Sequence, residues 1–163
     1  MAKIKTTDKY NADVDTVFKH FTDSDFIKAR AEAIGGRNVD VQVEDKGDTV
    51  VLTVNREIRS DAPSALKKFV PEWSHSTQVE TWKVKPGGPY MGKATVDVDG
   101  VPVSVRSRMK LAAGKNGGSV MLIETETSSS VPLVGGKLAS FAAGTAEETL
   151  KAEYQFNKKQ IDG

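Results

Sequence analysis

Val131-Pro132-Leu133-Val134-Gly135-Gly136 opens the last fifth of the chain, and from Lys137 to Ile161 no proline interrupts a helical pattern. That stretch predicts one helix on the order of 37 Å long, at ~1.5 Å per residue. Steps of ~100° per residue from Leu138 bring Leu138, Phe141, Ala142, Thr145, Thr149, Ala152 and Phe156 onto one face. Ser140, Glu147, Lys151 and Lys158 fall opposite. Large residues stand at the two ends of the inner face and small ones fill its middle. A helix that only fills a core carries bulk along its whole buried face. Small residues at the centre leave room for a cavity between this helix and the sheet it covers.

The residues before the helix supply such a sheet. Ile4 to Tyr10 reads as a first strand. Asp13 is placed to cap a short helix carrying Val14, Val17, Phe18 and Phe21. Ser24 is the expected cap of a second, with Phe26, Ile27, Ala31 and Ile34, ended by Gly35-Gly36. A meander follows. Val39, Val41 and Val43 alternate with polar residues, and Val50, Leu52, Val54, Arg56 and Ile58 share one face of the next strand. Thr77 to Val84 and Ala94 to Val98 continue it, and Asp99-Gly100 predicts a tight hairpin. Beyond it, Val101, Val103, Val105, Ser107, Met109 and Leu111 face one way, while Ser104, Arg106, Arg108 and Lys110 face the other. Val120 to Ser129 is the last strand. An antiparallel meander of this kind needs one covered face, and the long helix is the only element large enough to cover it.

Composition narrows the functional classes. The 163 residues suit one domain, and 38% hydrophobic with 28% charged residues describes a globular chain. Lys plus Arg is 23 against 22 Asp plus Glu, so no basic excess marks a nucleic-acid binder. No window of about 18 apolar residues spans a membrane. The charged, alternating start lacks the apolar core of a signal peptide, which makes the cytoplasm the expected location. The absence of cysteine removes disulfides, thiol catalysis and thiolate zinc sites. His20 and His75 are the only histidines and lie in no paired ligand spacing, so no metal is expected. No phosphate-binding loop, GxGxxG or GxSxG appears, and no cofactor is assigned.

Three stretches carry a resemblance: Tyr10-Asn11-Ala12-Asp13-Val14-Asp15-Thr16-Val17-Phe18; Lys68-Phe69-Val70-Pro71-Glu72-Trp73 with Glu80-Thr81-Trp82; and Val131 to Lys137. With the element order, they resemble the START-like superfamily, which includes pollen allergens, polyketide cyclases and coenzyme Q-binding proteins. Within it, the chain is similar to bacterial START-like proteins of unknown function. The resemblance implies an α+β helix-grip fold over residues 1–163. About seven antiparallel strands curve around the long C-terminal helix, with two short helices after the first strand. It also implies a hydrophobic or amphipathic ligand in the cavity, and it implies no particular reaction.

Strand and helix parity assign the expected cavity wall to Leu52, Val54, Arg56, Val103, Val105, Ser107, Met109, Phe141, Ala142, Thr145 and Thr149. Arg56 is the unusual member, because a charge among valines needs a partner. Glu124 could supply one if Val120, Leu122 and Glu124 face inward. Met121, Ile123 and Thr125 are an equally good inward set. Arg56 could instead hold a ligand's polar head, or reach solvent from a strand end. Trp82 reads as core and Trp73 as cavity rim. Ser60 to Pro71 interrupts the meander with Leu66, Phe69 and Val70 beside Lys67 and Lys68, and reads as a lid ending at Trp73, capable of transient membrane contact.

The expected function is therefore binding or transport of a lipid, quinone, isoprenoid or polyketide-like molecule. The rival is a cyclase or dehydratase in the same cavity, for which Glu124, Lys83 and His75 are the inward acid–base candidates. A protein-interaction module with an incidental cavity is a third reading.

Overall fold

The computed structural model covers residues 1–163. Seven strands form one antiparallel sheet in the order β1-β7-β6-β5-β4-β3-β2. They are β1 (Ala2–Tyr10), β2 (Arg37–Asp45), β3 (Thr49–Arg59), β4 (Trp73–Lys83), β5 (Tyr90–Val98), β6 (Ser104–Ala113) and β7 (Ser119–Ser128). The helices are α1 (Val14–Phe21), α2 (Ser24–Ala33) and α3 (Gly135–Ile161). This is the helix-grip architecture expected from the element order.

Local chemistry sets the short helices. The Asp13 carboxylate accepts the Thr16 N–H at 2.8 Å and starts α1. Asp23, not Ser24, caps α2, accepting from Asp25 and Phe26 at 2.9 and 3.3 Å. A carboxylate one residue earlier outcompetes the hydroxyl, because its bonds are charge-assisted and its charge suits the helix N-terminus. Asp15 then ties α1 to the start of β5. It accepts the Tyr90 hydroxyl at 2.5 Å and the Gly87 N–H at 2.8 Å.

Two strand boundaries differ from expectation. β4 begins at Trp73 rather than Thr77, so Ser74 and Ser76 also face inward and are buried. The β5–β6 connection is longer than a two-residue hairpin: β5 stops at Val98 and β6 starts at Ser104. Pro102 lies between, and without an N–H it cannot join the ladder.

The main core joins α1 and α2 to the concave face of the sheet. Trp82 is 1% exposed, and Phe18 meets it edge-on while stacking on Tyr90 at 3.9 Å. Gly92 of β5 faces the indole so closely that an added Cβ would stand 2.8 Å from the ring. Leu52 and Val54 belong to this core, together with Ile27 of α2.

The long helix lies along β1 and β7. Its most buried residues are Leu138, Ala139, Ala143 and Asn157, so the packing seam is turned by about one residue step, ~100°, from the expected face. Two bonds hold that rotation. Thr127 donates to the Ala139 carbonyl at 2.6 Å, and Tyr154 donates to the Lys9 carbonyl at 3.0 Å. Phe156 consequently meets Phe26 of α2, with ring centroids 5.5 Å apart. α2 packs on β2 and touches α3, bridging the far edge of the sheet to the helix.

Candidate functional site

Between the concave sheet and α3 is a cavity of about 480 Å3. That lies in the ~300–1,000 Å3 range of small-molecule sites. Its floor follows the strand register. Glu80, Ala94, Ser107 and Thr125 form one cross-strand row from β4 to β7. Ser107 and Thr125 bond to each other at 2.7 Å.

The two ends of the cavity differ. At the Arg59–Trp73 end of the sheet, its wall is Ile58, Val70, Val98, Val101, Val103 and Phe141. At the α1–α2 end, it is Asp8 and Tyr10 of β1, Arg30 of α2, Glu80 of β4, and Glu153 and Asn157 of α3. Arg30 Nε lies 3.4 Å from Glu153 Oε2, and its Nη1 donates to Asn157 Oδ1 at 3.3 Å. Asn157 in turn donates to the Tyr10 hydroxyl at 3.2 Å. Burial, then the Glu153 charge, raises the Asp8 carboxyl from 3.8 to about 6. Burial also raises Glu80, with Arg30 and Arg56 pulling the other way. Burial pushes the Tyr10 hydroxyl up as well. An acid-rich cluster around one paired arginine thus closes one end of the chamber.

Sequence parity placed several wall residues in this chamber. β6 and the turn before it bring Val103, Val105, Ser107 and Met109 to the cavity, and α3 brings Phe141, Ala142, Thr145 and Thr149. Arg56, Val70 and Trp73 also line it. Leu52 and Val54 do not; they are buried in the main core with residues of α1 and α2. Leu66 is buried instead with Ala62, Val70 and Leu138, and Phe69 packs half-buried against that group.

The Arg56–Glu124 pair does not form. Thr125, Ile123 and Met121 are the inward set of β7, and Glu124 points outward to Lys5 and Arg108 at 3.5 and 3.6 Å. Burial of Met121, Ile123, Thr125 and Thr127 decides the parity, and the exposed pairs of Glu124 and Glu126 with Lys5 and Lys3 on the convex face follow from it. His75 is exposed and bonds Asp99 at 3.1 Å, and Lys83 is exposed. None of the three expected acid–base groups reaches the cavity.

The carboxyls that do reach it had a legible signal. Glu80 shares parity with core Trp82, and Asp8 with Tyr10. The grouping of these strands with Arg30 and Glu153 had none. No three of the His, Asp or Glu side chains are grouped so as to hold a metal ion. No helix is long and apolar enough to cross a membrane.

A family model described as a protein of unknown function, DUF2505, matches residues 5–161. The chain belongs to that family. No curated protein matches it in sequence. Solved structures share its fold at low identity. A protein from Thermus thermophilus is 9% identical, with a TM-score of 0.67 over 98% of this chain and 97% of its own. The Zhui aromatase/cyclase of a Streptomyces species, R1128, is 10% identical, with a TM-score of 0.66 over 98% and 93%. Norcoclaurine synthase of Thalictrum flavum is 14% identical, with a TM-score of 0.58 over 98% and 86%. These likenesses establish the START-like, helix-grip fold of the DUF2505 chain.

Proposed function

We propose that residues 1–163 act as one domain that binds and carries an amphipathic small molecule between the sheet and α3. The observation that supports this reading is the cavity itself: about 480 Å3, with a valine-rich wall and a few charged side chains set into it. Ala142, Thr145, Ala146 and Thr149 keep the helix side of it thin. An apolar ligand body gains ~2.5 kcal/mol for each ~100 Å2 of apolar surface removed from water, before the costs of association. Lipids, isoprenoids, quinones and polyketides fit that description. In this reading Ser60 to Pro71 is the gate, with Val70 and Trp73 at the opening. The carrier works in the cytoplasm, where a chain without cysteine needs no oxidising surroundings.

Native mass spectrometry of the purified protein tests the proposal. A one-to-one adduct of a small apolar molecule, lost in Thr145→Leu, supports it. An empty protein that takes up no fluorescent lipid, quinone or polyketide probe refutes it.

A second reading is favoured by one observation. Asp8 titrates at about 6 inside the cavity, within the range of a general acid or base near neutral pH. A cyclase or dehydratase would use it. Turnover of a polyketide-like probe that vanishes in Asp8→Asn, with probe binding retained, would establish the enzyme. Binding without turnover leaves the carrier.

A further inference from the structure

Four arginines stand in or beside the cavity, and three have partners. Arg30 is held by Glu153 and Asn157. Arg37 pairs with Glu57 at 3.2 Å and lies over Trp73, its Cζ 3.4 Å from the ring centre. Arg59 pairs with Glu72 at 3.2 Å. Arg56 is the exception. It is 9% exposed, lines the cavity, and its Nε–H is buried without a hydrogen-bond partner.

A buried guanidinium without a counter-charge is costly, and the cost falls when an anion arrives. No carboxylate of the chain forms an ion pair or hydrogen bond with it, and Glu80, whose charge it feels, does not reach it as a partner. Arg56 stands opposite Ser76 of β4, whereas Glu80 stands opposite Leu52. Four residues along the strands separate the two, ~13 Å at the backbone. The Arg56 stem packs at Gly36, where an added Cβ would stand 3.5 Å from Arg56 Cδ. Beyond Ser76 the same cross-strand row continues to Val98, so apolar wall begins one strand past Ser76.

We propose that Arg56 is the anion-binding group of this cavity, and that the ligand is a hydrophobic monocarboxylic acid. The proposal rests on the ligand-binding reading above and narrows it. A carboxylate matches the planar fork of a guanidinium with two parallel bonds and neutralises one charge with one. A phosphate dianion fits less well, because Asp8, Glu80 and Glu153 share the chamber and its other inner cation, Arg30, is already paired. The apolar body of the acid then lies against Val96, Val98, Val105 and Phe141.

The test uses the full chain and three probes of one chain length: a fluorescent polyene fatty acid, its methyl ester and its primary alcohol. The wild type should bind the acid at least tenfold more tightly than the ester or the alcohol. Arg56→Gln should bring the acid down to the level of the ester and leave the ester unchanged, while Arg56→Lys should restore part of the preference. Arg108→Gln, on the convex face beside Glu124, should change nothing. Equal binding of acid, ester and alcohol by the wild type would overturn the carboxylate assignment and leave the cavity reading standing. So would an acid preference that survives Arg56→Gln. Binding of none of the three would overturn both for amphiphiles of this class. The comparison of probes on the wild type needs no variant, so it decides the question even if Arg56→Gln folds poorly.

Discussion

Arg30 Nε lies 3.4 Å from Glu153 Oε2, joining α2 to α3 across the polar end of the cavity. Both side chains are largely buried, at 12% and 15% exposed. The pair therefore differs from the ion pairs of the convex face, such as Lys3–Glu126, which solvent screens. It also stands among two further carboxyls, Asp8 and Glu80, which makes its two halves unequal.

Arg30→Met should be the more damaging change. It leaves Glu80 and Glu153 without their shared cation, a loss of about 3–5 kcal/mol for a broken buried pair. Glu153→Gln leaves Arg30 beside Glu80 and should cost about 1–2 kcal/mol, in the range of a lost charged hydrogen bond. Urea unfolding at neutral pH measures both. Equal losses would mean that the pair acts alone, without Asp8 and Glu80.

Asp8 predicts a pH dependence with a definite sign. Its carboxyl rises from 3.8 to about 6 on folding, so the folded protein holds the proton more tightly. That preference is fully present below the unfolded value and is lost as pH rises through about 6. The loss is on the order of 3 kcal/mol by neutral pH. Asp8→Asn should be neutral near pH 3 and should stabilise the protein increasingly as pH rises through about 6, where Asp8 ionises. Glu153→Gln should shift that window to lower pH, because Glu153 is one of the groups raising Asp8. Thermal melting across the range checks both, and a pH-independent Asp8→Asn effect would contradict them.

Ala142→Leu and Thr145→Leu add bulk where α3 faces the cavity. If the space is available to a side chain, melting should change little while uptake of a fluorescent fatty acid falls several-fold. Inserting the same bulk into a packed core costs ~1–3 kcal/mol. A loss of that size with unchanged uptake would place these positions in the core.

Ser60 to Pro71 should exchange its amide hydrogens faster than the strands beside it, and ligand should slow that exchange. The segment is pinned at its base, where the Ser60 N–H donates to the Glu72 carbonyl at 2.8 Å, and inside by Leu66 and Val70 against Leu138. Opening therefore has to separate Leu66 and Val70 from Leu138. Phe69→Asp should weaken that contact and speed ligand release without unfolding the sheet. Protection equal to that of Met109 and Leu111, unaltered by ligand, would remove the gate from the mechanism.

Local periodicity alone determined much of this protein. The period of two in Val105 to Leu111 identified the inward face of β6, and the period near 3.6 after Gly136 identified α3. Arg56 was legible as an inward charge because it sits in register with Val54 and Ile58. What packs on a face is a different matter, since it is set by residues distant in the chain. Both parities of β7 carry apolar residues, and Glu124 and Glu126 face outward because Met121, Ile123, Thr125 and Thr127 are the set the core buries. Leu52 and Val54 are in the core shared with α1 and α2 rather than in the cavity, and α3 turned by about a residue step because Thr127 and the Lys9 carbonyl hold Ala139 and Tyr154. The polar cluster needed the whole fold, for Asp8, Arg30, Glu80 and Glu153 come from β1, α2, β4 and α3. Their meeting is a consequence of sheet curvature and helix packing, and only at that distance scale do a buried arginine pair and two raised carboxyls become one site.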